Sequence, residues 1–182
     1  MMETLIEYSD AKYPIGNFNK QDSYSQQEID SLISIIETAP AKYENLVQNL
    51  SPENLNNTYR QGSWNIRQLI HHVADIQMLH FFRMKKALTE PDYKDVTLIN
   101  MDEWVKTPDG IGAPLEDSLI MFAGITKRYV FLLKSLTEEN LKVEYYHPVR
   151  KFHINQAQAT AMSAWHVQHH YAHIKIALGK IN

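Results

Sequence analysis

The chain has 182 residues, 44% of them hydrophobic and 21% charged, with a formal net charge of −3 at pH 7. That length and balance fit one globular domain, 1–182, with room for a core, and the slight negative charge makes no case for a nucleic-acid partner. There is no cysteine, which excludes disulfides, thiolate metal sites and a cysteine nucleophile and leaves nitrogen and oxygen to hold any metal. No apolar run reaches the length of a membrane span, and Met1-Met2-Glu3-Thr4-Leu5-Ile6-Glu7 lacks the basic start and apolar middle of a secretion signal. A cytoplasmic protein with no membrane partner is the expectation.

Residues 1–24 read as an arm. Tyr13-Pro14-Ile15-Gly16 carries two helix breakers, while Tyr13, Ile15 and Phe18 favour docking across the body. Ser25 opens the first helix with Glu28 three residues on, a capping box. Ile29, Leu32, Ile33 and Ile36 share one face, and Pro40 is expected to kink or break the helix. The pattern resumes through Tyr43, Leu46, Val47 and Leu50, and Ser51-Pro52-Glu53 turns the chain.

Tyr59-Arg60-Gln61-Gly62-Ser63-Trp64 leads into a second long helix, with Ser63 the expected N-cap. Its core-facing positions are Ile66, Leu69, Ile70, Val73, Ile76 and Leu79, and it fades near Thr89-Glu90-Pro91. Residues 91–113 form the longest irregular connection, a bundle crossover with Asp102-Glu103-Trp104 at its middle. Pro114 suits the first position of a third helix, patterned by Leu115, Leu119, Phe122, Ile125, Tyr129, Leu132, Leu133 and Leu136. Tyr145-Tyr146-His147-Pro148 is a break, and His153-Ile154-Asn155 is an extended approach to a last helix that ends near Leu178, with Gly179 as its terminating residue. Four long helical patterns, one long crossover and no convincing set of strands predict an all-α four-helix bundle.

The last helix carries the chemistry. His166, His169, His170 and His173 fall within an arc of roughly 100° at about 100° per residue, and His166 and His170 form an i, i+4 pair that can grip one metal ion. A third ligand must come from elsewhere, since bundles build metal sites from facing helices; His72 in the second helix is the natural choice. Asp75, three residues on, can support it or act as a base. His169 and His173 flank the pair, His71, His80, His147 and His153 read as structural or exposed, and Trp64, Trp104 and Trp165 read as core.

Several of these segments together resemble the DinB superfamily of four-helix-bundle proteins, and within it the YfiT-like metal-dependent hydrolases. They are Tyr13-Pro14-Ile15-Gly16, Tyr59 to Trp64, Arg67-Gln68-Leu69-Ile70-His71-His72-Val73-Ala74-Asp75, Leu88-Thr89-Glu90, Asp102-Glu103-Trp104, Tyr146-His147-Pro148 and the run Trp165-His166 to Ile174. By motif, the family's three histidine ligands fall on His72, His166 and His170. The resemblance implies one divalent ion, zinc or else nickel, a small-molecule substrate and a homodimer. Relatives split between hydrolases and S-transferases that use a low-molecular-weight thiol; with no cysteine here, that sulfur has to come from a cosubstrate. A metal-binding or metal-sensing bundle without activity is the third alternative. Asp75, Glu103 and His173 are the candidate general bases, and the sequence does not choose among them. Ile76-Gln77-Met78-Leu79 and Met101 stand where similar chains carry Ser-His-Met-Asn and a tyrosine, so the substrate does not transfer with the fold.

Overall fold

Alternating apolar spacing and well-made caps explain the four long helices of this computed structural model, which describes residues 11–180; the expected arm before Ala11 lies outside them. Helix α1, Gln26–Val47, starts on the Ser25–Glu28 capping box and buries Ile29, Ile33, Ile36, Ala39, Tyr43 and Val47. It runs unbroken through Pro40. Proline removes one helical hydrogen bond, but burial on both sides holds the two halves in line, and the Tyr43 hydroxyl donates to the Val167 carbonyl at 2.7 Å. Helix α2, Ile66–Thr89, begins at Asn65, whose side chain accepts from the Gln68 amide. The expected cap, Ser63, instead bonds back to the Arg60 carbonyl and closes the preceding turn, where Gly62 takes a positive φ of 72°.

Short helices α3, Met101–Trp104, and α4, Pro108–Gly112, occupy the connection expected to be irregular. Helix α5, Leu115–Leu133, follows with Pro114 as its cap. Helix α6, Glu138–Lys142, leads into a two-stranded antiparallel hairpin, β1 Glu144–His147 and β2 Phe152–Asn155. The sequence reading missed this pair of four-residue strands because such short runs leave no alternation to count. Helix α7, Gln156–Ala177, starts on Asn155 and Gln158, the same cap chemistry as α2, and Gly179 ends it at φ 64°.

Helix α1 packs on α5 and α7, and α2 packs on the same two. The order around the bundle is therefore α1, α5, α2, α7, with α1 diagonal to α2 and α5 diagonal to α7. The 90–114 connection, expected as the crossover, joins neighbours; the diagonal steps are 48–65 and 134–155. Periodicity reveals which faces are apolar but not which helices meet, so it could not tell these apart. Two apolar clusters fill the bundle, one around Tyr43, Leu69, Val73 and Phe122, the other around Ile33, Ile36, Tyr129 and Leu133. Among the described residues no helix is long and apolar enough to cross a membrane.

Candidate metal centre

Helix α7 hides more than the apolar stripe of Ala164, Val167 and Ile174. It buries Gln156, Gln158, Thr160 and Ser163 near its start and His166, His169, His170 and His173 further on. Burying so many polar groups is costly unless each finds a partner. The facing helix α2 supplies His72, 3% exposed. His72 Nε2 lies 3.2 Å from His166 Nε2, and the His170 ring centroid is 4.8 Å from that of His72 and 4.6 Å from that of His166. Each of the three offers a ring nitrogen within 4.8 Å of the other two. The three predicted ligands are brought together.

These rings stay neutral. Burial pulls His72 down to about 3, and burial, reinforced by the neighbouring imidazoles, holds His166 and His170 well below the usual histidine value. A neutral imidazole has a lone pair ready for a cation, with no proton to displace. Two nitrogens at ~2.0–2.1 Å from one tetrahedral ion stand ~3.3–3.4 Å apart, close to the 3.2 Å between His72 and His166. The donor set therefore fits a borderline divalent ion such as zinc.

A second trio, His169, His170 and His173, has its ring nitrogens equally close. Here the hydrogen bonds fix the tautomers. The Lys12 carbonyl can only accept, so His173 Nε2, 3.2 Å away, carries a proton. The neutral ring then offers a lone pair at Nδ1, 3.3 Å from His170 Nδ1, which must donate. His170 is left with an unprotonated Nε2. A chain of three groups, ending on the backbone of the N-terminal arm, thus presets a ligand of the first trio. His166 Nδ1 is buried and has no protein partner.

The histidines open onto a cleft of about 390 Å³. Two of its aromatic walls, Trp64 and Trp165, are residues that the sequence suggests as core. Trp64 lies 4.6 Å from the His72 ring, Trp165 stacks on His169 at 4.4 Å and Tyr59 stacks on His173 at 3.8 Å, between ring centroids. The turn at 59–64 was visible in the sequence, but nothing local says where it folds. The arm is docked: Trp165 Nε1 donates to the Gly16 carbonyl at 3.2 Å and Gln158 Nε2 to the Gln21 carbonyl at 2.9 Å.

The three expected bases part company. His173 lines the cleft and is 1% exposed. Asp75 is half-buried and lines neither this cleft nor the cavity beside it; burial, then Asp109, pushes its carboxyl up to about 6. Glu103 is exposed and pairs with Lys106 at 2.7 Å. Its neighbour Asp102 is the one carboxylate lining the cleft among the described residues. Of the remaining histidines, His71 Nδ1 meets the Ser118 hydroxyl at 2.7 Å and His153 is exposed beside Glu144. His80 and His147 are not exposed: both line the adjoining cavity, and the His80 ring sits 5.6 Å from that of His166.

Comparison with known proteins gives this arrangement a family. The sequence signature of the DinB superfamily matches residues 35–174. A protein of Oceanobacillus iheyensis named a "putative metal-dependent hydrolase" is 39% identical over 169 residues, covering 93% of this chain and 96% of its own. YfiT of Bacillus subtilis, named in the same words, is 33% identical over 162 residues, covering 89% and 90%. The solved structure of that YfiT, described as a probable metal-dependent hydrolase with an unusual four-helix bundle topology, superposes with a TM-score of 0.89 over 93% of this chain and 97% of its own, at 32% identity. The chain belongs to the DinB superfamily.

Proposed function

We propose that the protein is a metal-dependent hydrolase whose single divalent ion, zinc by preference and nickel as the alternative, is held by His72, His166 and His170. The observation that carries this reading is the 3.2 Å approach of two Nε2 atoms from different helices at the wall of a cleft. The second trio is set aside because His170 Nδ1 and His173 Nδ1 are spent on each other. Three protein ligands leave coordination positions open, the pattern of a catalytic site rather than a structural one. Bound there, the ion supplies Lewis acidity and a water that is nucleophilic near neutral pH.

The chain's own groups do the rest. Asp102, on the cleft wall, is the carboxylate we assign to take up the proton that a water nucleophile gives up, ahead of Asp75 and Glu103, which do not line the cleft. His173, with its Nε2 proton committed to Lys12, orients His170 rather than acting as base. Trp64, Tyr59 and Trp165 give a small-molecule substrate an apolar lining and limit the water around it.

The test is elemental analysis joined to a substrate panel. The full chain is expected to hold one equivalent of metal, and His72→Ala, His166→Ala and His170→Ala each to lose it together with hydrolysis of activated esters and amides. A full equivalent retained by His166→Ala overturns the ligand assignment. Consumption of an added thiol with an electrophile, and no hydrolysis of any substrate, overturns the hydrolase in favour of an S-transferase.

A further inference from the structure

On the far side of His166 lies a second cavity of about 370 Å³, which shares Met101, Arg150, Trp165 and His166 with the first. Its walls include Ile76, Leu79, Leu98, Ile99 and Met162, yet it also holds Arg83, 9% exposed. A buried guanidinium ordinarily pairs with a carboxylate. None of the ion pairs among the described residues includes Arg83, and no Asp or Glu lines the cavity. Both protein hydrogen bonds of Arg83 go to one acceptor, the Thr97 carbonyl, from Nε at 2.9 Å and from Nη2 at 2.6 Å.

That leaves a defined edge unused. A guanidinium has five N–H groups in a planar fork. Thr97 takes the Nε side, and the Nη1–Nη2 end keeps two parallel donors, the geometry that meets a carboxylate bidentately. More positive and donor groups converge on the same space. Arg150 lines it and lies near enough to repel Arg83. His147 Nδ1 accepts from the Arg150 amide at 3.4 Å, so the proton of its neutral ring is on Nε2. His80 Nδ1 is buried with no protein partner.

We infer that this cavity binds the carboxylate of the substrate, held end-on by Arg83 with Arg150 beside it, while the substrate's apolar body lies against Leu79, Leu98 and Met162 and its reacting end reaches past His166 into the metal-side cleft. The substrate class is then an apolar carboxylic acid carrying a hydrolysable group. The inference rests on the proposed hydrolase only for what happens at the reacting end; the carboxylate site stands without it.

The experiment uses 4-phenylbutyrate and its neutral isostere 4-phenylbutanamide, titrated calorimetrically into the full chain before and after chelation of metal. The carboxylate is expected to bind at least ~10-fold more tightly than the amide, the low end for a hydrogen-bonded charge, in both preparations. Arg83→Gln, checked for folding by circular dichroism, is expected to abolish that preference while leaving amide binding in place. Leu98→Trp fills the apolar wall at a half-exposed position, is tolerated even where the buried arginine is not, and is expected to block both probes. Equal binding of the two probes, a preference that survives Arg83→Gln, or undiminished binding to Leu98→Trp overturns the proposal. A preference that vanishes on chelation places the carboxylate on the metal, which overturns this site and leaves the hydrolase standing. A chain that takes up no metal even when zinc or nickel is supplied, yet keeps the preference, overturns the hydrolase and leaves this site standing.

Discussion

Along the seam between α1 and α5, Ile29, Ile33 and Ile36 meet Tyr129, Val130 and Leu133, all at most 4% exposed. Along the seam between α2 and α7, buried polar groups are His72, Gln77, Ser163, His166 and His170, all at most 9% exposed. The first seam gains from leaving water. The second gains little unless its polar atoms are paired, and only part of it is. Gln77 reaches Thr126 at 3.2 Å and accepts from Ser163 at 3.4 Å, whereas His166 Nδ1 and His169 Nδ1 have no protein partner. The bundle is thus held by one side and equipped on the other, and damage to each side is expected to look different.

Ile36→Ala in the apolar seam gives the largest loss. It is expected to lower unfolding stability by ~2–5 kcal/mol while the folded fraction still binds metal normally; denaturant titration with metal analysis checks both. His166→Ala does the opposite: metal affinity falls by more than ~100-fold, beyond the loss usual for an outer partner, and the metal-free protein loses less stability than Ile36→Ala does, since the cost of the lost ring and its contact with His72 is offset by removing the unpartnered Nδ1. His173→Ala, outside the first trio, is expected to weaken metal binding ~10–100-fold by releasing the tautomer of His170. The absorption spectrum of the cobalt-substituted protein should shift with it, which a purely structural defect would not produce. Unchanged affinity and spectrum would remove the Lys12–His173–His170 chain from the account.

Acid offers a graded version of the same contrast. His72, His80 and His147 have folded values lowered to about 3, 3 and 4, with burial the first cause. Between those values and the unfolded ~6.5 the denatured chain binds more protons than the native one, so stability rises with pH across that window. The contribution is complete above ~6.5 and is lost as pH falls toward 4. Metal-loaded protein is expected to lose stability at least as steeply, and over a wider range toward acid, since a bound cation keeps protons off the native ligands while the unfolded chain still takes them up. A flat stability profile from pH 7 to 4.5 would contradict the neutral, buried rings. Gln77→Leu is the mildest test, at ~1–3 kcal/mol, because the buried hydroxyls of Thr126 and Ser163 lose this partner.

Much of this was legible in the residues. Helix periodicity located α1, α2, α5 and α7 to within a few positions, and the i, i+4 spacing of His166 and His170 pointed to their shared spot. His72 was within reach of inference because bundle sites draw on facing helices. What stayed hidden was non-local. Asn65 rather than Ser63 caps α2, and only the turn bond from Ser63 to Arg60 explains why. Trp64 and Trp165 look like core until a histidine is found against each. Arg83 gives no signal of its own within the helix pattern, and its burial without a carboxylate emerges only when residues 97, 147 and 150 are packed around it.

The diagonal placement of α1 and α2 bears on how the molecule is made. Neither of the first two long helices rests on the other, so a nascent chain carrying only residues up to Thr89 has no helical hairpin to close and must wait for α5 before α2 gains a neighbour. His72 and His166 are 94 positions apart, and α7 follows the other three long helices in the chain. Closing so long a loop comes late, so the proposed ion is not expected to nucleate the fold; the histidines that would hold it meet only once α7 has packed on α2.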